Sequence, residues 1–129
     1  VPIGGGGLIS GIAVAIKAMR PSCRIIGVQS EHAPSMKQSL EKKEIIKLQN
    51  VSTIADGIAV KTPGKLTYKL CSKYVDEVVT VSEEEIAAAI LTLLEKMKMV
   101  AEGAGATSVA AAMFGKVDLK HHKCVAVLS

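Results

Sequence analysis

Tryptophan is absent from this 129-residue chain, and aromatic residues make up only 2% of it. A core must therefore be built from Val, Ile, Leu, Ala and Met, and few rings are available to stack on nucleobases. Net charge is only +4, from 16 Lys and Arg against 12 Asp and Glu. The lysines are spread along helix faces rather than clustered, so nucleic-acid binding is not expected. Cysteines are few and far apart, at Cys23, Cys71 and Cys124. With no CxxC pair they read as free or buried thiols of a reducing compartment. No apolar run is long enough to span a bilayer and no signal-peptide pattern is seen, so a cytoplasmic protein that does not bind membranes is expected. The three histidines, His32, His121 and His122, lack ligand spacing, and no metal site is expected.

What is present is apolar and glycine-rich. The chain is 49% hydrophobic, with mean hydropathy +0.35, which suits a globular domain rather than a disordered one. Its most informative stretch comes first. Val1-Pro2-Ile3 reads as the end of a strand, Gly4 to Gly7 as a loop, and Leu8, Ile9, Ile12 and Ile16 as a helix starting near Leu8. Glycines leave backbone N–H groups free to converge on one ligand, and a helix start adds unpaired N–H groups and a favourable dipole. The combination is an anion site, with phosphate its usual occupant. It is not a P-loop, because Ile12 and Ala13 follow Gly11 where Lys and Ser or Thr are required. Nor is it the dinucleotide fingerprint, because Ser10 stands in the third glycine position. A plain tight turn is the alternative.

Along the chain, periodicity predicts helices over Leu8–Met19, from Pro34-Ser35 onward, and from Thr62-Pro63-Gly64 with Leu66, Leu70 and Tyr74 on its face. A fourth helix follows the capping box Ser82–Glu85, with Ile86, Ile90, Leu93, Leu94 and Met97 as its apolar stripe. A fifth, tiny-residue helix covers Gly103 to Ala112. Strands are expected at Arg24–Gln29, Asp76–Val81 and Cys124–Leu128, with a short extended piece at Glu44–Leu48 and a turn at Asp56-Gly57. Alternating strands and helices give an α/β fold, a parallel sheet with helices on both faces. Strands at both ends of the chain suggest a single segment, 1–129, of a longer protein.

Pro2 to Gly11 resembles the phosphate-binding loop of the threonine dehydratases (threonine ammonia-lyases), pyridoxal-phosphate enzymes of the tryptophan-synthase-β fold group (fold type II). The similarity continues through Ile26–Glu31, Ala55–Val60, Pro63–Tyr68, Val81–Ile86, Ala101–Ala106 and Val125–Ser129. It implies that the segment is the C-terminal, phosphate-binding part of the catalytic domain. It implies pyridoxal 5'-phosphate as cofactor, its phosphate on Gly4, Gly5, Gly6, Gly7 and Leu8, and the Ser129 hydroxyl facing the pyridine nitrogen. A neutral hydroxyl there makes a weaker electron sink than a carboxylate would, which suffices when hydroxide departs. Without the resemblance, Ser129 reads as a strand-end serine bonded to nearby backbone.

Gly57 and Glu102 are candidates for the active-site wall, against a plain turn for the one and a helix-start acid for the other. The implied reaction is dehydration and deamination of L-threonine, or of L-serine, to a 2-oxo acid and ammonia. For L-threonine the oxo acid is 2-oxobutyrate, in isoleucine biosynthesis or threonine catabolism, and a homo-oligomer is expected. Some relatives hold a cation with acidic residues after the strand corresponding to Arg24–Gln29; here Gln29 and Ala33 are not acidic and only Glu31 is. The family's Schiff-base lysine lies upstream of the glycine loop, and none of the lysines here sits in a matching motif. Alternatives are a serine dehydratase or serine racemase of the same fold group, or a non-catalytic phosphate- or nucleotide-binding module.

Overall fold

The computed structural model describes residues 1–129. Its elements run α1 (Gly7–Met19), β1 (Ile26–Ser30), α2 (Ser35–Lys42), a 3-10 turn (Asp56–Ile58), α3 (Lys65–Tyr74), β2 (Glu77–Val81), α4 (Glu83–Met97) and α5 (Gly103–Met113). β1 and β2 pair in parallel, from Ile26 opposite Glu77 to Ser30 opposite Val81. On the other side of β1, Pro2 bridges Val28 in parallel. There the Ile3 N–H donates to the Val28 carbonyl at 2.8 Å, and the Val28 N–H to the Val1 carbonyl at 2.9 Å. β1 is thus flanked on both edges, and Gly27 through Ser30 are buried without interruption.

Because side chains alternate across a strand, the sheet feeds two cores. Val28 and Val81 face α4 and α5, where they join Ile86, Ala89, Leu93, Ala106 and Ala110. Ile3 and Ile25 face the other way, with Ile9 and Ala13 of α1, Met36 of α2 and Cys71 of α3. Helices therefore cover both faces, as the alternation of elements implies. The Gln29 side chain is buried between layers, its Nε2 donating to the Ile3 carbonyl and its Oε1 accepting from the Lys37 N–H.

α4 starts where the capping box places it. The Ser82 hydroxyl accepts from the Glu85 N–H, and the Glu85 carboxylate accepts from the Ser82 N–H. α5 is buried almost all round, because Gly, Ala, Ser and Thr let its backbone approach α4 and the sheet closely.

Four expectations need correction. Cys124–Leu128 forms no ladder: it runs beside α5, where Ser108 Oγ donates to the Val127 carbonyl at 2.6 Å, and Val125 is 85% exposed. A run of β-formers becomes a strand only where a neighbouring strand takes its hydrogen bonds, and here a helix is the neighbour. Glu44–Leu48 is irregular, held by bonds from Ile46 N–H to Ser39 Oγ and from Leu48 N–H to the Lys61 carbonyl. On α3, Leu66 is 68% exposed, and Cys71, flanked by Tyr68 and Tyr74, makes the inner face. On α4 the buried line is Ile86, Ala89 and Leu93, while Leu94 is exposed and Met97 is 62% exposed. The small Ala89 is buried in one cluster with Ala104, Ala106, Ala110 and Ala111 of α5, so the inner line runs through it rather than through the larger residues.

Candidate functional site

The glycine loop leaves the sheet at Ile3, whose full burial anchors it, and enters α1 at Gly7. Gly6, the residue before the helix, has φ of 94°, a left-handed conformation that a side chain would strain. An added Cβ there would also lie 2.7 Å from Met36 Cε. At Gly5 and Gly7 the opposite holds: nothing lies within 4 Å of an added Cβ, because both face open space.

That space is a cavity of ≈ 360 Å³. Gly4, Gly5, Gly6, Gly7, Leu8, Gly57, Glu102 and Ser129 all line it. Gly4 and Ser129, near opposite ends of the sequence, therefore share one wall, together with Pro2, Ile58 and Ala104. The last three carry no chemical signature in the sequence, because they contribute shape alone.

No protein acceptor takes the backbone N–H groups of Gly4, Gly5, Gly6, Gly7 and Leu8. Five unpaired donors in succession, at the positive end of α1, are what a phosphate requires. The residues thus fit the phosphate group of pyridoxal phosphate.

Behind the loop, the carbonyls are held. Thr67 Oγ1 donates to the Gly5 carbonyl at 2.5 Å, and the Gly64 N–H reaches the same oxygen at 3.3 Å. Ser10 donates to the Gly6 carbonyl with both its hydroxyl, at 2.5 Å, and its N–H, at 3.0 Å. The Ser10 hydroxyl also lies 3.7 Å from Cys71 Sγ, whose thiol is pushed up by burial, with the Ser10 hydrogen bond acting in the opposite sense. Sequence reasoning missed Thr67 and Gly64: they lie in a stretch with a recognisable pattern, but their partner is about sixty residues away.

Glu102 holds a structural position and also reaches the cavity. It is the N-cap of α5, accepting from the Gly105 N–H at 3.0 Å, and its carboxylate borders the cavity beside Gly57. Asp56-Gly57 is a 3-10 turn rather than a simple one, with the Asp56 carboxylate accepting from the Gly57 N–H at 3.0 Å. Ser129 reaches the cavity edge because its carbonyl lies against Gly105, 2.8 Å from where a Cβ would stand.

The stretch leading into the 3-10 turn is tied to the end of β1 by Glu83. Its carboxylate accepts from Thr53 Oγ1 at 2.6 Å, the Ile54 N–H at 2.7 Å and Ser30 Oγ at 2.9 Å. Burial alone would raise its pKa, but those three bonds and the neighbouring His32 outweigh it and hold the carboxyl below the usual range.

Comparison with known proteins gives a consistent result. The family described as pyridoxal-phosphate dependent enzymes matches residues 1–129. The chain is 57% identical to the L-threonine ammonia-lyase of Thermotoga maritima, over all of this chain and 32% of that protein. It is 47% identical to the catabolic L-threonine dehydratase of Escherichia coli, over all of this chain and 40% of that protein. Among solved structures it is similar to a threonine deaminase from T.th., with TM-score 0.87 and 38% identity over 90% of this chain and 42% of the other. It is also similar to maize serine racemase, with TM-score 0.84 and 40% identity over 87% and 35%. The chain spans a third to two fifths of the length of these curated relatives.

Proposed function

The chain belongs to the family of pyridoxal-phosphate dependent enzymes, and from that membership we propose that it forms the cofactor-phosphate part of a threonine ammonia-lyase. The observation that carries this reading is the run of unpaired N–H groups from Gly4 to Leu8, residues that line one cavity together with Ser129, Gly57 and Glu102. Gly4, Gly5, Gly6, Gly7 and Leu8 hold the phosphate, aided by the dipole of α1. Ser129 meets the pyridine nitrogen with a neutral hydroxyl. Gly57 and Glu102 form the wall beside the substrate.

Bound pyridoxal phosphate supplies the electron sink for the charge left at Cα when its proton is removed. The segment's own residues bind, orient and enclose; the lysine that captures the cofactor comes from the part of the enzyme that this chain does not span. The substrate is L-threonine, and its products are 2-oxobutyrate and ammonia. The complete enzyme is a cytoplasmic homo-oligomer, in keeping with three free thiols. No helix of the chain is long and apolar enough to cross a membrane.

Serine racemase is the second reading, favoured by the maize enzyme's 40% identity, close to the 38% of the threonine deaminase. One experiment separates them. The holoenzyme is given L-threonine or L-serine, and 2-oxo acid, ammonia and D-serine are measured. Rapid 2-oxobutyrate release with little D-serine is the expected result; D-serine as the main product would overturn the lyase reading.

A further inference from the structure

The five unpaired N–H groups of the cavity-lining loop need something to hold them in place, and the loop's glycines cannot do it, since glycine restricts backbone rotation least of all residues. We infer that Thr67, on a separate helix, is the positioning residue that aims the Gly6 N–H at the cofactor's phosphate. This rests on the reading of the loop as the phosphate site.

No peptide bond in the chain is cis, and across a trans peptide the C=O and N–H point in opposite directions. The Gly5 carbonyl is drawn to the start of α3 by Thr67 Oγ1, at 2.5 Å, and by the Gly64 N–H, at 3.3 Å. The Thr67 hydroxyl has one proton, and Gly5 is its nearer acceptor; the Gly64 carbonyl stands at 3.0 Å. With the carbonyl of the Gly5–Gly6 peptide fixed toward α3, its N–H is turned away from α3, toward the cavity that Gly6 lines. Thr67 also backs the loop sterically, since a Cβ on Gly6 would lie 2.9 Å from Thr67 Cβ. Ser10 repeats the device one peptide later, drawing back the Gly6 carbonyl and so turning the Gly7 N–H forward. Thr67 does not itself line the cavity. It acts on affinity for the phosphate, and not on the ring, through one peptide plane.

The test compares two ligands in the apo form of the complete enzyme: pyridoxal 5'-phosphate, and pyridoxal, which lacks the phosphate. Equilibrium dialysis with cofactor absorbance gives each Kd. Wild type should prefer the phosphorylated ligand strongly. Thr67→Val keeps the shape and loses the donor; the preference should fall about threefold to tenfold, the range expected for one hydrogen bond, while pyridoxal binds as before. Thr67→Ser keeps the donor and should restore the wild-type ratio. A Thr67→Val enzyme with the wild-type ratio overturns the inference while leaving the loop as the phosphate site. A wild type with no preference between the ligands overturns both the loop assignment and the role of Thr67. If Thr67→Val does not fold, Thr67→Ser decides: a lost preference there would mean that the methyl group, and not the hydroxyl, matters.

Discussion

The Cα of Gly27 lies directly beneath Ile3, so close that a methyl group at position 27 would overlap Ile3 Cδ1. This contact sets the distance between the chain's first residues and β1. Ile3 in turn is the buried residue directly before the glycine loop, so packing in the sheet determines where that loop begins. Ile9 of α1 closes on the same spot from the other side of the loop, 3.0 Å from the place of that methyl group.

Gly27→Ala should therefore destabilise the complete enzyme by about 1–3 kcal/mol, the usual cost of overpacking. Combining it with Ile3→Val, which shortens the clashing side chain, should recover part of the loss. Thermal or urea unfolding of both variants measures this. A single Gly27→Ala variant as stable as wild type would mean that Ile3 moves aside freely, contrary to its burial.

Gly5 separates two effects that are usually entangled. Its Cβ position is open, so Gly5→Ala should fold and keep much of its cofactor. Gly5→Asp would place a carboxylate where the proposed function puts a dianionic phosphate, and like charges at a few ångströms repel strongly. Cofactor absorbance surviving dialysis should be nearly abolished in Gly5→Asp. Full retention in that variant would remove the loop from the phosphate site.

Glu83 gives a pH signature. Its folded-state pKa is held below the ordinary value, so its contribution to stability is fully present above the unfolded value, about 4.3. That contribution disappears as pH falls through the lower, folded value. Glu83→Gln puts an amide where the Ile54 N–H needs an acceptor, and should cost about 1–3 kcal/mol at neutral pH. The gap between wild type and Glu83→Gln in urea unfolding should narrow below about pH 4. A gap that does not change with pH would show that the carboxylate's charge is not what ties down Thr53 and Ile54.

The last test concerns Ser129, whose position depends on Gly105. Gly105→Ala would push against the Ser129 carbonyl, 2.8 Å from the new methyl group. It should shift the cofactor's absorbance spectrum and weaken its binding. Ser129→Ala removes only a neutral hydrogen bond and should weaken cofactor binding by about 0.5–1.5 kcal/mol. Ser129→Asp, which sets a charge against the ring nitrogen, should alter the spectrum more. Unchanged spectra in all three variants would count against Ser129 as the ring-nitrogen partner.

Local sequence carried much of this protein. The helix starts were legible because caps are local: Ser82 and Glu85 are three residues apart, and Glu102 caps Gly105 at the same spacing. The parallel α/β arrangement followed from alternating short apolar runs and helical stripes, and the open loop that leads into a helix from four adjacent glycines. Tertiary structure alone decided the rest, because it depends on contacts between distant residues. Cys124–Leu128 has the composition of a strand but lies beside α5, where no strand takes its hydrogen bonds. Leu66 and Met97 fit apolar stripes yet face outward, because burial is set by what a neighbouring element covers and not by period alone. Thr67 carries no local sign of its bond to Gly5, 62 residues away: a side chain's nearest partner in space is fixed by the packing of α3 against α1, which no window of sequence contains.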